Sequence, residues 1–171
     1  LSCISTLASA QEPKEAFEYE AKAALLYNFA KLTTWPADAF SGNDSTFVFA
    51  VMGKNPFGKA LEVLESKMMH GKKIRVIYFS KLSDFDPCQV LFFAPEQLDE
   101  AGGNVPEFLS KNHVLTVGEK SGFLEKGGIL QLTFSDDHLA FKVNLVATQN
   151  AKIEINSNLL RLAAEIMEDS R

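Results

Sequence analysis

The chain predicts an α/β fold: a single-domain, three-layer sandwich with a mostly parallel central sheet, an antiparallel C-terminal hairpin and a closing C-terminal helix. Three observations predict it. Strand-like and helix-like segments alternate from residue 14 to residue 118. Thr46 to Gly53, TFVFAVMG, is almost continuously apolar, as a strand covered on both faces must be. After Gly127-Gly128 the pattern changes to partial alternation, which marks a hairpin.

Residues 14–34 read as the first helix. Ala21, Ala24, Leu25, Asn28 or Phe29, and Leu32 recur at helical spacing and define the face expected to be buried. Trp35 precedes Pro36, and a residue before proline leaves the helical region, so the helix is expected to stop at Thr34. Ser41-Gly42-Asn43-Asp44 marks a turn before the first strand. Behind that strand, Asn55 and Pro56 suit the cap and first position of a helix running to about Lys67. Ile74 to Phe79, Gln89 to Ala94 and Val114 to Gly118 read as further strands, with a short helix over Pro106 to Lys111. Ile129 to Phe134 and Leu139 to Val143, joined through Ser135-Asp136-Asp137-His138, read as a hairpin on a sheet edge. Asn144 to Ala151 is a short helical connector and Lys152 to Ile155 one more short strand. Ser157 to Met167, with Leu159, Leu160, Ala163, Ile166 and Met167 inward, closes the chain as a helix.

The 171 residues suit one domain, assigned to residues 11–171. A net charge of -5 argues against non-specific nucleic-acid binding, which needs clustered Lys and Arg. Residues 1–10 are uncharged and end in Ala8-Ser9-Ala10, a small-x-small pattern read as the tail of an export signal. Leu1-Ser2-Cys3 leaves lipid anchoring at Cys3 as the competing reading. Cleavage after Ala10 leaves Cys88 as the lone cysteine, at the start of an apolar strand where burial is expected.

The search for chemistry is negative. His70, His113 and His138 are far apart and lie in no metal-binding motif, so no metal is expected. Asp136 and Asp137 are explained by a turn. No G-x-S-x-G elbow occurs, and Cys88 has no neighbouring histidine. The loop Gly53-Lys54-Asn55-Pro56-Phe57-Gly58 matches neither phosphate-binding glycine signature, although it has the βα geometry at which backbone N–H groups face anions. Neither catalytic residues nor a cofactor are assigned. Aromatic residues crowd the first third, and Trp35, Phe40 and Phe57 on its loops read either as core or as a partner surface.

Several short landmarks occur together in order. They are Lys22-Ala23-Ala24 with Tyr27-Asn28-Phe29, Trp35-Pro36, Gly53 with Asn55-Pro56-Phe57-Gly58, and VLTVGE over 114–119 with Gly122-Phe123. Gly127-Gly128-Ile129, Phe141 with Asn144, and SNLLRLA over 157–163 complete them. With these, residues 20–167 resemble the YfiR family of small exported bacterial regulators. The resemblance implies a periplasmic non-enzyme that binds the periplasmic part of an inner-membrane sensor, a diguanylate cyclase, and holds it inactive. It also implies an outer-membrane lipoprotein that sequesters the regulator, with cyclic-di-GMP and biofilm as the output. A small-molecule sensing module coupled to a histidine kinase is the alternative, and a homodimer stays open. An internal disulfide, where relatives have one, is not available to a chain cleaved after Ala10, which keeps only Cys88. Within this frame Trp35, Pro36 and Phe40 are candidate partner contacts. Asn55, Phe57, Glu119 and Phe123 are candidates to border a crevice at the carboxyl ends of parallel strands. Tyr27, Asn28, Phe29, Gly53, Pro56, Gly58, Gly118, Gly122, Gly127, Gly128 and Asn144 read as structural.

Overall fold

The computed structural model describes residues 11–40, 42 and 45–169; the export-signal reading of residues 1–10 lies outside them. The first helix, α1, spans Gln11–Lys31. Thr33–Thr34 form β1, followed by β2 (Thr46–Met52), β3 (Met68–Met69), β4 (Lys72–Phe79) and β5 (Val90–Phe93). Two short helices, α2 (Gln97–Glu100) and α3 (Glu107–Lys111), precede β6 (Leu115–Gly118). The chain continues through β7 (Leu130–Ser135), β8 (His138–Asn144), α4 (Leu145–Asn150), β9 (Glu154–Ile155), α5 (Ser157–Leu162) and β10 (Glu165–Met167).

Eight strands form one sheet in the order β10-β8-β7-β6-β5-β2-β4-β3. The five strands β4, β2, β5, β6 and β7 run parallel, β7 and β8 form the antiparallel hairpin, and β10 lies parallel to β8. Strand alternation sends the two faces of the sheet into two cores. Phe47, Phe49 and Val51 of β2 meet Leu26 and Phe29 of α1, together with Leu159 of α5. Val48, Ala50 and Met52 meet Leu98 of α2 and Leu109 of α3 on the other face. Each fully hidden Phe or Leu contributes on the order of 1.5–3 kcal/mol by burial. The predicted fold class is therefore the observed one, with a separate two-stranded pairing of β1 and β9 beside it.

Differences lie at element ends and faces. α1 stops at Lys31, not Thr34, because Thr33 and Thr34 pair with Ile155 and Glu154 and Leu32 O accepts from Asn156 N. Its buried stripe is Lys22, Ala23, Leu26, Phe29 and Ala30, while Ala21, Ala24 and Asn28 face solvent. The expected stripe is offset because it counted Lys22 as polar. Asn55 does not start a helix. Its side chain accepts from Phe57 N (2.9 Å) and donates to Gly58 O (2.9 Å), and a 3-10 turn forms only at Glu62–Ser66. Leu61 and Leu64 are nonetheless buried as expected.

The closing helix ends at Leu162, five residues before Met167. Ala163 is extended, and Ala164 N donates to Phe141 O (2.8 Å), so the chain leaves the helix to pair with β8. β10 thereby takes the sheet edge expected for the hairpin, and Ile166 is exposed, not inward. The hairpin turn matches expectation: Asp136 and Asp137 both have positive φ (49° and 61°), which short polar residues tolerate.

Three landmark residues act as one unit. Phe123 is fully buried with its ring between Gly118 and Gly128. A Cβ at Gly118 would stand 2.6 Å from Phe123 Cδ2, and one at Gly128 would overlap the opposite ring edge. Asn144 ties this region to the next helix: its Nδ2 donates to Leu124 O and its Oδ1 accepts from Ala147 N, capping α4.

Two outcomes are expected. Gly128→Ala lowers the unfolding free energy by about 1–3 kcal/mol in chemical denaturation, because the ring has no room to give. Cys88 is buried, and burial with the nearby Asp86 charge pushes its thiol far above the ordinary range. A thiol reagent at pH 8 should therefore leave Cys88 unmodified in the native protein and label it after unfolding; rapid native labelling of Cys88 would contradict this burial.

Candidate functional site

At the carboxyl end of β6 the sheet meets the first helix. Glu18 and Lys22 stand one turn apart on α1, with Tyr19 beside them, and all three face Glu119 just beyond β6. Lys22 Nζ bridges Glu18 Oε1 (2.5 Å) and Glu119 Oε2 (2.7 Å). Tyr19 OH donates to Glu119 Oε1 at 2.7 Å, and the ammonium lies 4.2 Å from the Tyr19 ring centroid. The Lys22 side chain is only 4% exposed. A charge this deep is tolerated only when paired and hydrogen-bonded. Burial, and then the Glu119 carboxylate, hold the Tyr19 phenol above its ordinary range, so it stays a donor. The cluster of carboxylates, ammonium and phenol clamps α1 to the turn after β6.

A cavity of about 510 Å³ opens over this cluster. It lies between α1, Pro95 at the end of β5, the Glu119–Ser121 turn and the β7–β8 hairpin, which reaches past the end of β6. On the other side of α1 a more apolar groove of about 690 Å³ runs between Ala16, Ala23, Ala24 and Tyr27 and the Phe57–Lys67 segment. Exposed Val63 lines it, and exposed Phe17 and Met68 are adjacent in the chain to its lining residues.

Of the residues singled out from the sequence, Glu119 lines the cavity. Asn55 spends its amide on its own loop. Phe57 is buried between Tyr19 (5.3 Å between centroids) and Phe92 (4.8 Å), and Phe123 is sealed between its glycines. Phe123 borders no open crevice, while Phe57 lies at one end of the groove beside α1 and away from the cavity over Glu119. The anticipated opening at Gly53–Gly58 is filled by the chain itself: Glu96 Oε1 accepts from Lys54 N (3.1 Å), and a Cβ on Gly53 would stand 2.5 Å from Gln97 Cγ. A carboxylate already sits where a βα turn would take an anion.

Trp35 is corrected from surface to core. It is 8% exposed, its Nε1 donates to His113 O (2.9 Å), and its ring packs edge-on to Phe47 at 5.1 Å. Burying an indole requires a partner for its N–H, and that carbonyl supplies it. Pro36 and Phe40 are half-buried beside it. Sequence reading missed the clamp. The available sign was a lysine in phase with Leu26, Phe29 and Ala30 on a buried stripe, with a glutamate four residues before it.

A profile of the YfiR/HmsC-like family matches residues 19–164, from Tyr19 of the clamp to the residue before β10. The chain belongs to the YfiR/HmsC-like family. The match is to the family that the landmarks resembled, a regulatory one. No curated protein matches the chain. In the YfiR/HmsC-like fold described here, Tyr27, Phe29 and Gly118 through Gly128 belong to the packing of α1 and of the β6–β7 connection, and no helix among the described residues is long and apolar enough to cross a membrane.

The clamp sets a clear expectation for a double-mutant cycle. Lys22→Met leaves two carboxylates facing each other and costs about 3–5 kcal/mol in urea unfolding. Adding Glu119→Gln recovers a substantial part, because the orphaned charge is removed. Additive losses would show that Lys22 and Glu119 are not coupled.

Proposed function

We propose that the chain is a periplasmic signalling regulator that holds a membrane-bound diguanylate cyclase inactive by protein–protein contact. Membership of the YfiR/HmsC-like family is the observation that carries this reading. An outer-membrane lipoprotein that sequesters the regulator completes the circuit, and residues 1–10 are taken as the tail of the export signal that delivers a domain of residues 11–171. The partner surface is the groove beside α1, in place of the Trp35–Phe40 loop. Burial of Trp35 favours that choice, as do Phe17 at 73%, Val63 at 62% and Met68 at 53% exposure on or beside the groove. Exposed large apolar groups gathered beside a groove mark a contact surface.

Deletion of the gene is expected to raise cyclic-di-GMP, and crosslinking should capture the periplasmic part of a cyclase. Val63→Glu should abolish capture while moving stability by no more than about 0.5 kcal/mol, as for other exposed positions. Trp35→Ala should cost about 3–5 kcal/mol of stability. Unchanged cyclic-di-GMP in the deletion strain, with no cyclase captured, would sink the cyclase reading.

A second reading, a periplasmic small-molecule sensing module coupled to another sensor such as a histidine kinase, is favoured by the cavity over Glu119. It expects a ligand-dependent rise in melting temperature.

A further inference from the structure

The cavity over the end of β6 has two chemically different sides. Leu130 and Leu132 of β7 point into the core beneath α1, so Gln131 between them points the other way. Lys142 lies directly across from Gln131 on β8, between core residues Phe141 and Val143, and shares that outward face. On the other flank Gln131 pairs with Gly118, whose face is covered by the Phe123 ring, so the space beside Gln131 opens beyond the end of β6. Lys120 and Ser121 follow in the turn beyond β6 and line the same cavity. The α1 side of the cavity is occupied by Glu18 and Glu119, both held by Lys22.

Gln131 is the telling residue. It is only 7% exposed, it lines the cavity, and its carboxamide has no hydrogen-bond partner among the described residues. Two other buried amides are bonded at both ends: Gln89 donates to Ala39 O and accepts from Val48 N, and Asn144 donates to Leu124 O and accepts from Ala147 N. The Gln131 carboxamide is not among the polar atoms sealed from water, so it faces the cavity with a donor and an acceptor that water or an entering group can use. Lys120 and Lys142 each have one carboxylate partner, Asp99 and Glu165, both well exposed. An ammonium has three N–H donors, so each keeps donors to give. Surface pairs of this kind contribute little and are readily shared. The location agrees with the rule that open α/β sheets bind ligands outside the carboxyl ends of their strands.

We propose that this cavity binds a small oxyanion, a carboxylate or phosphate group, between Lys120, Lys142 and the Gln131 amide. The Glu18–Glu119 side repels a second negative group, which keeps the ligand small and its charge at the hairpin side. The proposal deepens the sensing reading and rests on it for its biological use.

Thermal unfolding and calorimetric titration of the full chain test it, with sodium phosphate and sodium succinate each compared with sodium chloride at equal ionic strength. A saturable rise in melting temperature beyond the chloride control is expected with at least one anion. Phosphate alone identifies a phosphoryl ligand, and succinate alone a carboxylate. Gln131→Leu and Lys142→Met should each weaken binding by about tenfold, the worth of one charge-assisted hydrogen bond. If Gln131→Leu does not fold, the paired Lys120→Met and Lys142→Met change, at partly exposed positions, gives the same reading. No binding of either anion, or binding unchanged in these variants, overturns the proposal. The sensing reading fails separately: binding of a neutral or cationic metabolite with neither anion would preserve it, while no response to any metabolite would end it.

Discussion

The buried ammonium of Lys22 is the constraint on which the placement of the first helix depends. Apolar packing by Leu26, Phe29 and Ala30 holds α1 against the sheet but is tolerant of small rotation and sliding. An ion buried between Glu18 and Glu119 is not tolerant: moving the helix by a fraction of a turn would leave an uncompensated charge in a dry site. The clamp therefore fixes the register of a helix near the start of the chain against a turn 97 residues later. It also divides the surface around α1 into a polar cavity on one side and an apolar groove on the other.

The carboxyl ends of the parallel strands show how a common fold is specialised. The strand order reverses direction at β2, between β4 and β5, and a doubly wound sheet ordinarily opens a ligand crevice there. Here Glu96 and Gln97 fill it, and Gly53 is needed because any side chain would strike Gln97. The open space lies instead two strands over, where the β7–β8 hairpin extends beyond β6 and α1 crosses above. Phe123, gripped by Gly118 and Gly128, sets the turn that carries Glu119, Lys120 and Ser121 to that space.

Much of the fold was legible residue by residue. Unbroken apolar runs announced β2 and β5, because strands covered on both faces need no polar side chains. The acidic turn at Asp136-Asp137 announced its hairpin through the conformations those residues tolerate. Two elements were not legible for a shared reason. Ser157 to Met167 has helical spacing throughout, yet Ala164 gives its N–H to Phe141 O and the chain becomes a strand. Local periodicity cannot announce a partner strand that arrives from elsewhere in the chain. The stripe of α1 was misplaced because Lys22 counts as polar until its two carboxylates are known.

The amino-acid sequence by itself determined the fold class, the family and the absence of recognised catalytic motifs, since these depend on local patterns and on short landmarks in order. The tertiary structure alone decided which residues are available to act. It placed Trp35, Phe57 and Phe123 in the core, where local pattern had left a surface role open for aromatic residues on loops. It joined Glu119 to Tyr19 and Lys22, and set Gln131 between Lys142 and Gly118. The physical reason is that burial and ion pairing are properties of neighbours in space. A side chain's charge, solvation and free valences are settled only when residues distant in the chain close around it.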